Sequence, residues 1–279
     1  MRIKILSDST CDLTQELIAE HDITIVPLNV IKDGENFQDS ITITPADIFA
    51  HVASGGSLCS TSAVSVGDYQ DLFERYSKEY DGVVHINIGS GFSACHQNAR
   101  LAAEEFENVV VIDSRLLTTG QGMVVLEACR LADQGLDLQQ IESALKDFVS
   151  RVEVSFVLDR LDYMVKGGRC STAAALGANL LNLKPCIEVV DGKMTVVKKY
   201  RGSFEKCLAS YVKDRLGNRE DLDKGLIFMT HTDVSDGSVQ LVREAAEASG
   251  FASVVDTVAG CTVSCHCGPG TLGIIYLKR

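Results

Sequence analysis

Val83-Val84-His85-Ile86-Asn87-Ile88-Gly89-Ser90-Gly91-Phe92-Ser93-Ala94-Cys95-His96-Gln97-Asn98-Ala99 is the stretch from which the fold is read. Val83 to Ile88 is an apolar run of strand length and reads as a buried strand. Gly89 to Ser93 is a turn of small residues, and a helical pattern follows from Ala94 to about Glu105. A strand, a glycine turn and a helix in this order aim free backbone N–H groups at one point, a favourable place for an anion. The hydroxyls of Ser90 and Ser93 add to that field. A plain βα turn with no ligand has the same local signature.

Working outward, the same alternation recurs on both sides. Arg2 to Ser7 reads as a strand ending in Ser7-Asp8-Ser9-Thr10, and Asp12 with Gln15 reads as the cap of a helix over Leu13 to His21. Ile23 to Ile31 is rich in β-branched residues and is expected to be one strand. Thr44-Pro45 starts a helix that stops at Gly55-Gly56, and Ser57 to Ser62 reads as a hydroxyl-rich turn. Ser65 with Asp68 caps a helix running to about Tyr80. Asn108 to Ile112 is a strand, and helices are expected over Thr119 to Gln134 and Leu138 to Val149. Alternating strands and helices predict an α/β/α unit over residues 1–150 with a mainly parallel sheet. Ligands of such sheets collect at the carboxyl ends of the strands, which is where Ser7 to Thr10, Ser90 to Ser93 and Asp113-Ser114 fall.

The pattern changes after Ser150. Val152 to Leu158 is a strand, Asp159 to Lys166 a short helix, and Cys186 to Val197 a hairpin around the type I′ turn signal Asp191-Gly192. Ser203 to Arg215 and Ser238 to Ser249 are helices. Leu226 to Thr230, Val254 to Val258 and Leu272 to Leu277 are strands, with Gly260 to Gly270 expected as a loop. Residues 151–279 are therefore expected to form an α+β domain with a mixed sheet.

The totals exclude several classes. The chain has 279 residues, 46% hydrophobic and 23% charged, as in a globular protein with a full core. A net charge of −12 argues against nucleic-acid binding and allows at most transient membrane contact. No segment has the apolar length of a membrane span, and Asp8 comes too early for a signal-peptide core, so a cytoplasmic protein is expected. The ten cysteines have no framework spacing and are expected to be reduced thiols.

Four hydroxyl-rich turns, at Ser7 to Thr10, Ser60 to Ser62, Ser90 to Ser93 and Ser114, are each readable as helix caps. Their convergence on one edge would make a site for a single carboxylate or phosphate. Cys261, Cys265, His266 and Cys267 carry metal-ligating side chains, but no second cluster pairs with them, and no metal is expected. Ser93 and His266, with Asp8 or Asp113, could form a nucleophile, base and orienter. The final glycine of a hydrolase elbow is missing after Ser93. There is no third glycine of a dinucleotide fingerprint and no Walker lysine, so no nucleotide site is evident. Lys166 to Arg169 and Lys198 to Arg201 are basic clusters in an acidic chain, either solvated surface or docking sites for an acidic or phosphate-bearing partner.

Taken together, Asp8-Ser9, Thr61-Ser62-Ala63-Val64-Ser65, Ser90-Gly91-Phe92-Ser93 with Gln97 and Ala99, Asp113-Ser114, Leu161-Asp162-Tyr163 through Gly167-Gly168-Arg169, Lys184-Pro185 and His266-Cys267-Gly268-Pro269-Gly270-Thr271-Leu272-Gly273 resemble the DegV family of bacterial fatty-acid-binding proteins. The resemblance covers essentially the whole chain. It implies an N-terminal α/β/α domain and a C-terminal α+β domain with an acyl chain between or beneath them. It implies that Thr61, Ser62 and Ser93, with the N–H of Ala94, hold the carboxylate of a long-chain fatty acid, with His266 close by. Better-studied members, the FakB proteins, present the fatty acid to a separate FakA-like, ATP-dependent fatty acid kinase, which makes acyl phosphate for phospholipid synthesis. On that reading the chain is a presenting subunit rather than an enzyme and has no cofactor beyond its ligand. Arg169 and Arg201 are then candidates for docking the kinase or the phosphorylated head group. The competing reading is a serine hydrolase or acyltransferase using Ser93 and His266. The family usually has Gln-Pro at Ala63-Val64 and Gly-Thr-Tyr at Ala94-Cys95-His96, so the head-group geometry at Ala94 is the point to inspect.

Overall fold

The computed structural model describes residues 1–175 and 183–279. In chain order the first half runs β1 (Ile3–Asp8), α1 (Gln15–Glu20), β2 (Thr24–Val26), β3 (Asn29–Lys32), β4 (Glu35–Gln38), α2 (Pro45–Ala53), β5 (Ser60–Ser62), α3 (Val66–Glu79), β6 (Gly82–Asn87), α4 (Cys95–Ala103), β7 (Val109–Asp113), α5 (Thr118–Asp133) and α6 (Leu138–Val149). The second half runs β8 (Val152–Leu158), α7 (Asp162–Gly167), α8 (Ser171–Ala174), β9 (Leu183–Val190), β10 (Lys193–Arg201), α9 (Phe204–Leu216), β11 (Leu222–Thr232), α10 (Asp236–Ala248), β12 (Ser253–Val258), α11 (Cys261–Cys267) and β13 (Thr271–Lys278). The strands before Ser150 and those after it belong to separate sheets.

Four strands, in the order β2-β1-β6-β7, form an all-parallel sheet. Every residue of β6 is buried, as expected of a central strand covered on both faces, and its polar residues His85 and Asn87 are bonded to the buried Asp8. The second sheet has the order β10-β9-β8-β13-β11-β12 and is mixed, with β11 and β12 parallel and the other pairs antiparallel. The α/β architecture with a parallel N-terminal and a mixed C-terminal sheet is thus the one expected. α5 packs against β1 and β6 on one side and against β8, β11 and β13 on the other. That placement explains why its first eight residues, Thr118 to Val125, are all buried. The hairpin of β9 and β10 turns at Asp191 and Gly192, whose φ values of 50° and 72° are those a type I′ turn needs.

Local capping is as read at two helices. Thr44 with Asp47 and Ser65 with Asp68 form complete capping boxes at α2 and α3. Four other readings are corrected. The cap of α1 is Thr14, not Asp12, and its side chain accepts from the Leu17 N–H. Asp12 is instead buried with φ 48° and reaches across to the second half of the chain. Ile23 to Ile31 is two strands, because Pro27 has no N–H for a ladder and breaks the run; β2 joins the parallel sheet while β3 joins a small antiparallel one, order β4-β3-β5. Part of the Ser57 to Ser62 turn is the strand β5 of that small sheet, pairing Ser62 with Asn29 and Thr61 with Val30. Most of the Gly260 to Gly270 loop is helix α11. It shows no amphipathic period because six of its seven residues are buried, and its N-terminus is capped from a distant part of the chain.

Hydrophobic packing crosses the midpoint of the sequence. One buried cluster joins Leu28, Val64, Ile88, Phe92 and Leu117 to Phe156, Leu158, Met164, Ile187, Met194 and Val263. The candidate site lies within this junction.

Candidate functional site

Three local devices bring polar groups to one cavity. β5 is held by β3 at the rim and presents Thr61 and Ser62. The turn after β6 presents Ser93 and Ala94, and α11 presents His266. The cavity has a volume of about 180 Å³, and Thr61, Ser62, Ser93, Ala94, His266 and Arg169 all line it. The rest of its wall is mainly apolar, with Leu28, Ile88, Phe92, Leu117, Met164, Met194 and Val263. Leu117, Val263 and Cys267 also wall a smaller apolar cavity against the mixed sheet, so the two spaces share these side chains. Ser62, Ala94 and Arg169 are exposed, which places the polar end at the mouth and the apolar end inside.

Thr61 Oγ1 and His266 Nε2 are 2.9 Å apart, a hydrogen bond across 205 residues. Gly167 lies against the ring of His266, where a larger residue would collide with Nδ1. Burial, with the positive charge of Arg169 as a smaller cause, pushes the imidazole pKa down to about 4. The ring is therefore neutral at pH 7. Arg169 is turned back on its own loop, donating to the Gly167 carbonyl at 2.6 Å. Ser93 Oγ accepts from the Cys95 N–H at 3.2 Å and donates to the Cys95 thiol at 3.1 Å. Ala94, the residue preceding α4, has φ −77° and ψ −1°. This is the right-handed region that any L-residue adopts, so the replacement of the family's usual glycine costs the backbone nothing.

Other hydroxyls of the predicted edge do not converge here. Ser7 donates to the Ile86 carbonyl, Thr10 to Gln121 and Ser9 to Asp39. Ser90 is tied to Asp113 through both its N–H and its hydroxyl, at 3.0 and 2.6 Å, and Ser114 bonds to Leu116. A side chain at Gly91 would run into the Gly192 carbonyl oxygen, and one at Gly89 into the backbone of Arg115. The glycines thus serve close packing, and of the turn's polar groups only those of Ser93 and Ala94 reach the cavity, beside the Phe92 ring. Arg201 ends β10 and does not line it.

A nucleophile, base and orienter are not assembled. Ser93 is bonded to Cys95 and His266 to Thr61, while His266 Nδ1 has no hydrogen-bond partner among the described residues. Asp8 is buried, and its oxygens accept from Tyr69, His85, Asn87 and the Ile88 N–H. Asp113 is engaged by Ser90 and Arg115. Cys261, Cys265 and Cys267 are buried thiols on α11, and burial pushes the Cys267 thiol up to about 12, so it stays protonated. Among the described residues no group of three or more His, Cys, Asp or Glu side chains could hold a metal ion. No described helix is long and apolar enough to cross a membrane.

Sequence reasoning missed Leu28, Met164, Met194, Thr262 and Cys267 as wall residues. Only Thr262 had a signal, four residues before His266, and that spacing has meaning only once the segment is known to be helical.

Comparison with known proteins adds to this geometry. A family sequence model described as an uncharacterised protein, DegV family, matches residues 2–279. A DegV domain-containing protein of Clostridium acetobutylicum is 31% identical over 282 residues, covering 100% of this chain and 99% of that protein. Two solved structures are similar over 100% of both chains. One is a DegV family protein from Thermus thermophilus, described for its fatty acid binding, at 30% identity and a TM-score of 0.90. The other is a DegV lipid-binding protein from Thermotoga maritima, at 26% identity and a TM-score of 0.88.

Proposed function

The chain belongs to the DegV family, and from that premise we propose that it binds a long-chain fatty acid and presents the carboxylate to a separate, FakA-like ATP-dependent kinase. The observation that carries this reading is the polarity of the cavity, with hydroxyls and a neutral imidazole at the mouth and an apolar wall beneath. Solved relatives described as binding fatty acid or lipid support it.

The energetics suit such a ligand. Burying about fifteen methylenes at about 0.8 kcal/mol each gives a gross transfer free energy near ~12 kcal/mol before ordering costs. The chain supplies the affinity and the head group supplies the orientation. Thr61, Ser62, Ser93, the Ala94 N–H and His266 are the donors within reach of a carboxylate at the mouth. None of these carries a full positive charge, since His266 is neutral at pH 7. A carboxylate so held keeps its nucleophilic character and has an oxygen turned to the open side, where Ser62 and Ala94 are exposed. The incoming γ-phosphate and the kinase then meet the face carrying Arg169, with Arg201, at the end of β10, as a second docking candidate. The acyl phosphate formed would feed phospholipid synthesis, and the need for ATP places the reaction in the cytoplasm.

Solvent extraction of the purified protein followed by mass spectrometry tests the first step, with stoichiometric long-chain fatty acid expected. Incubation of the loaded protein with a fatty acid kinase and ATP, trapping the product with hydroxylamine, tests the second. Empty protein that cleaves activated esters would overturn the reading in favour of Ser93 as a nucleophile.

A further inference from the structure

Cys95, the first residue of α4, is fully buried and does not line the cavity, yet it holds a side chain that does. Ser93 Oγ accepts from the Cys95 N–H at 3.2 Å and donates to the Cys95 thiol at 3.1 Å. A serine hydroxyl has one proton and two lone pairs. Here the proton is committed to sulfur and one lone pair to the backbone. A carboxylate only accepts, so Ser93 can hold one only by turning its proton from Sγ to the cavity. The surroundings of Sγ make that turn possible. Burial, and to a smaller extent the Asp8 charge, push the thiol up to about 11, so it keeps its proton at pH 7. The other polar groups beside Sγ are the Val64 N–H and the Tyr69 hydroxyl. Tyr69 donates its own proton to Asp8 at 2.7 Å and accepts from Asn87 at 3.1 Å, which leaves one lone pair on the tyrosine oxygen.

Resting on the fatty-acid reading above, we propose that Cys95 is a positioning residue whose thiol reverses from acceptor to donor toward Ser93 when a ligand carboxylate arrives. While Ser93 donates to sulfur, the thiol proton has the remaining Tyr69 lone pair to point to. Once Ser93 turns to the carboxylate, the thiol proton turns to the lone pair that Ser93 leaves open. Ser93 Oγ then makes its full complement of bonds, two accepted from Cys95 and one donated to the ligand. Both protons move by rotation about a C–O or C–S bond, and neither is transferred. The serine oxygen stays in place throughout, because the Cys95 N–H holds it in either state. Alanine at position 95 keeps that N–H but removes the thiol, so a turned Ser93 hydroxyl faces carbon and is no longer fixed in direction.

The test is the binding of hexadecanoic acid to the delipidated full chain, by displacement of a fluorescent fatty acid. It compares wild type, Cys95→Ala, Cys95→Ser, Ser93→Ala and the double variant Ser93→Ala with Cys95→Ala. Cys95→Ala is expected to weaken binding by about three- to tenfold. Cys95→Ser, whose hydroxyl also donates and accepts, is expected to recover most of that loss. On the Ser93→Ala background the Cys95→Ala change is expected to have no further effect, because no serine hydroxyl remains to be positioned. A residue that only packs the start of α4 would cost the same on both backgrounds. Unchanged binding in Cys95→Ala, an equal loss on both backgrounds, or no recovery in Cys95→Ser overturns the inference and leaves fatty-acid binding standing. Failure of wild type to bind hexadecanoic acid overturns the fatty-acid reading and this inference with it.

Discussion

At the scale of single residues, the hydroxyls and the imidazole that line the cavity are neutral at pH 7. His266 illustrates how burial sets this. Its folded pKa of about 4 lies below the ordinary histidine value near 6.5. Between those values the unfolded chain binds a proton that the native protein does not, so stability falls as pH drops through that window. The loss is expected to approach about 2–3 kcal/mol near pH 4. His266→Gln, which cannot titrate, should flatten this part of the pH profile in thermal melts between pH 7 and 4; an unchanged acid slope would mean the imidazole is not held neutral. Ser93 belongs to the same scale. Removing its hydroxyl takes one bond from a bound carboxylate, so Ser93→Ala should weaken fatty-acid binding by about five- to thirtyfold in titrations. The hydroxyl pairs and the histidine could be picked out in the chain because their chemistry is carried by residue type. What Ala94 does could not be read that way, because its φ of −77° is a property of the folded turn.

At the scale of elements, α11 decides the site and is the element hardest to see. It lacks an exposed face, so no periodicity marks it, and its N-terminal N–H groups are satisfied by carboxylates from far away. Asp39, 1% exposed, accepts from Cys261 N–H at 2.7 Å, Thr262 N–H at 3.2 Å, and the hydroxyls of Ser9 and Ser40 at 2.9 Å each. Asp39→Ala should cost about 2–4 kcal/mol in denaturant unfolding, since it leaves buried donors unpaired at a helix start. It should also weaken ligand binding by displacing His266; unchanged binding would separate the cap from the site. Asp12 completes the cap by accepting from the Gly260 N–H at 2.9 Å and the Thr118 hydroxyl at 2.6 Å. Burial, and to a smaller extent Asp39, push its carboxyl up to about 8, so the fold keeps it protonated at neutral pH. Here the native state holds a proton the unfolded chain has lost, and stability falls as pH rises from about 4 to about 8. Asp12→Asn keeps the bond from the Gly260 N–H on its amide oxygen and donates its amide N–H to Thr118 Oγ1 in place of the second, without titrating, and should melt higher than wild type at pH 9 but not at pH 5. Equal destabilisation at both values would contradict the assignment.

At the scale of the whole molecule, the site exists because two sheets meet. Gly91 packs on the Gly192 carbonyl at the tip of the β9–β10 hairpin, and Arg115 pairs with Asp191 at 3.4 Å beside it. The hairpin also carries Met194 to the cavity wall. A side chain at Gly91 would force the tip away, because the obstacle is backbone and cannot rotate aside. Gly91→Ala is therefore expected to cost about 1–3 kcal/mol and to weaken fatty-acid binding together with stability. An unaltered melting temperature would show that the hairpin tip is free to shift.

The sequence by itself determined the parallel α/β half, the mixed second half, the hairpin at Asp191-Gly192 and the capping boxes at Thr44 and Ser65. Each of these is written in residues a few positions apart, where period, turn chemistry and caps act locally. The tertiary structure decided which hydroxyls face the cavity and which serve packing. It also made a helix of Cys261 to Cys267. Those outcomes depend on contacts such as Thr61 with His266 across 205 residues and Asp39 with Cys261 across 222, which form only when the chain closes on itself.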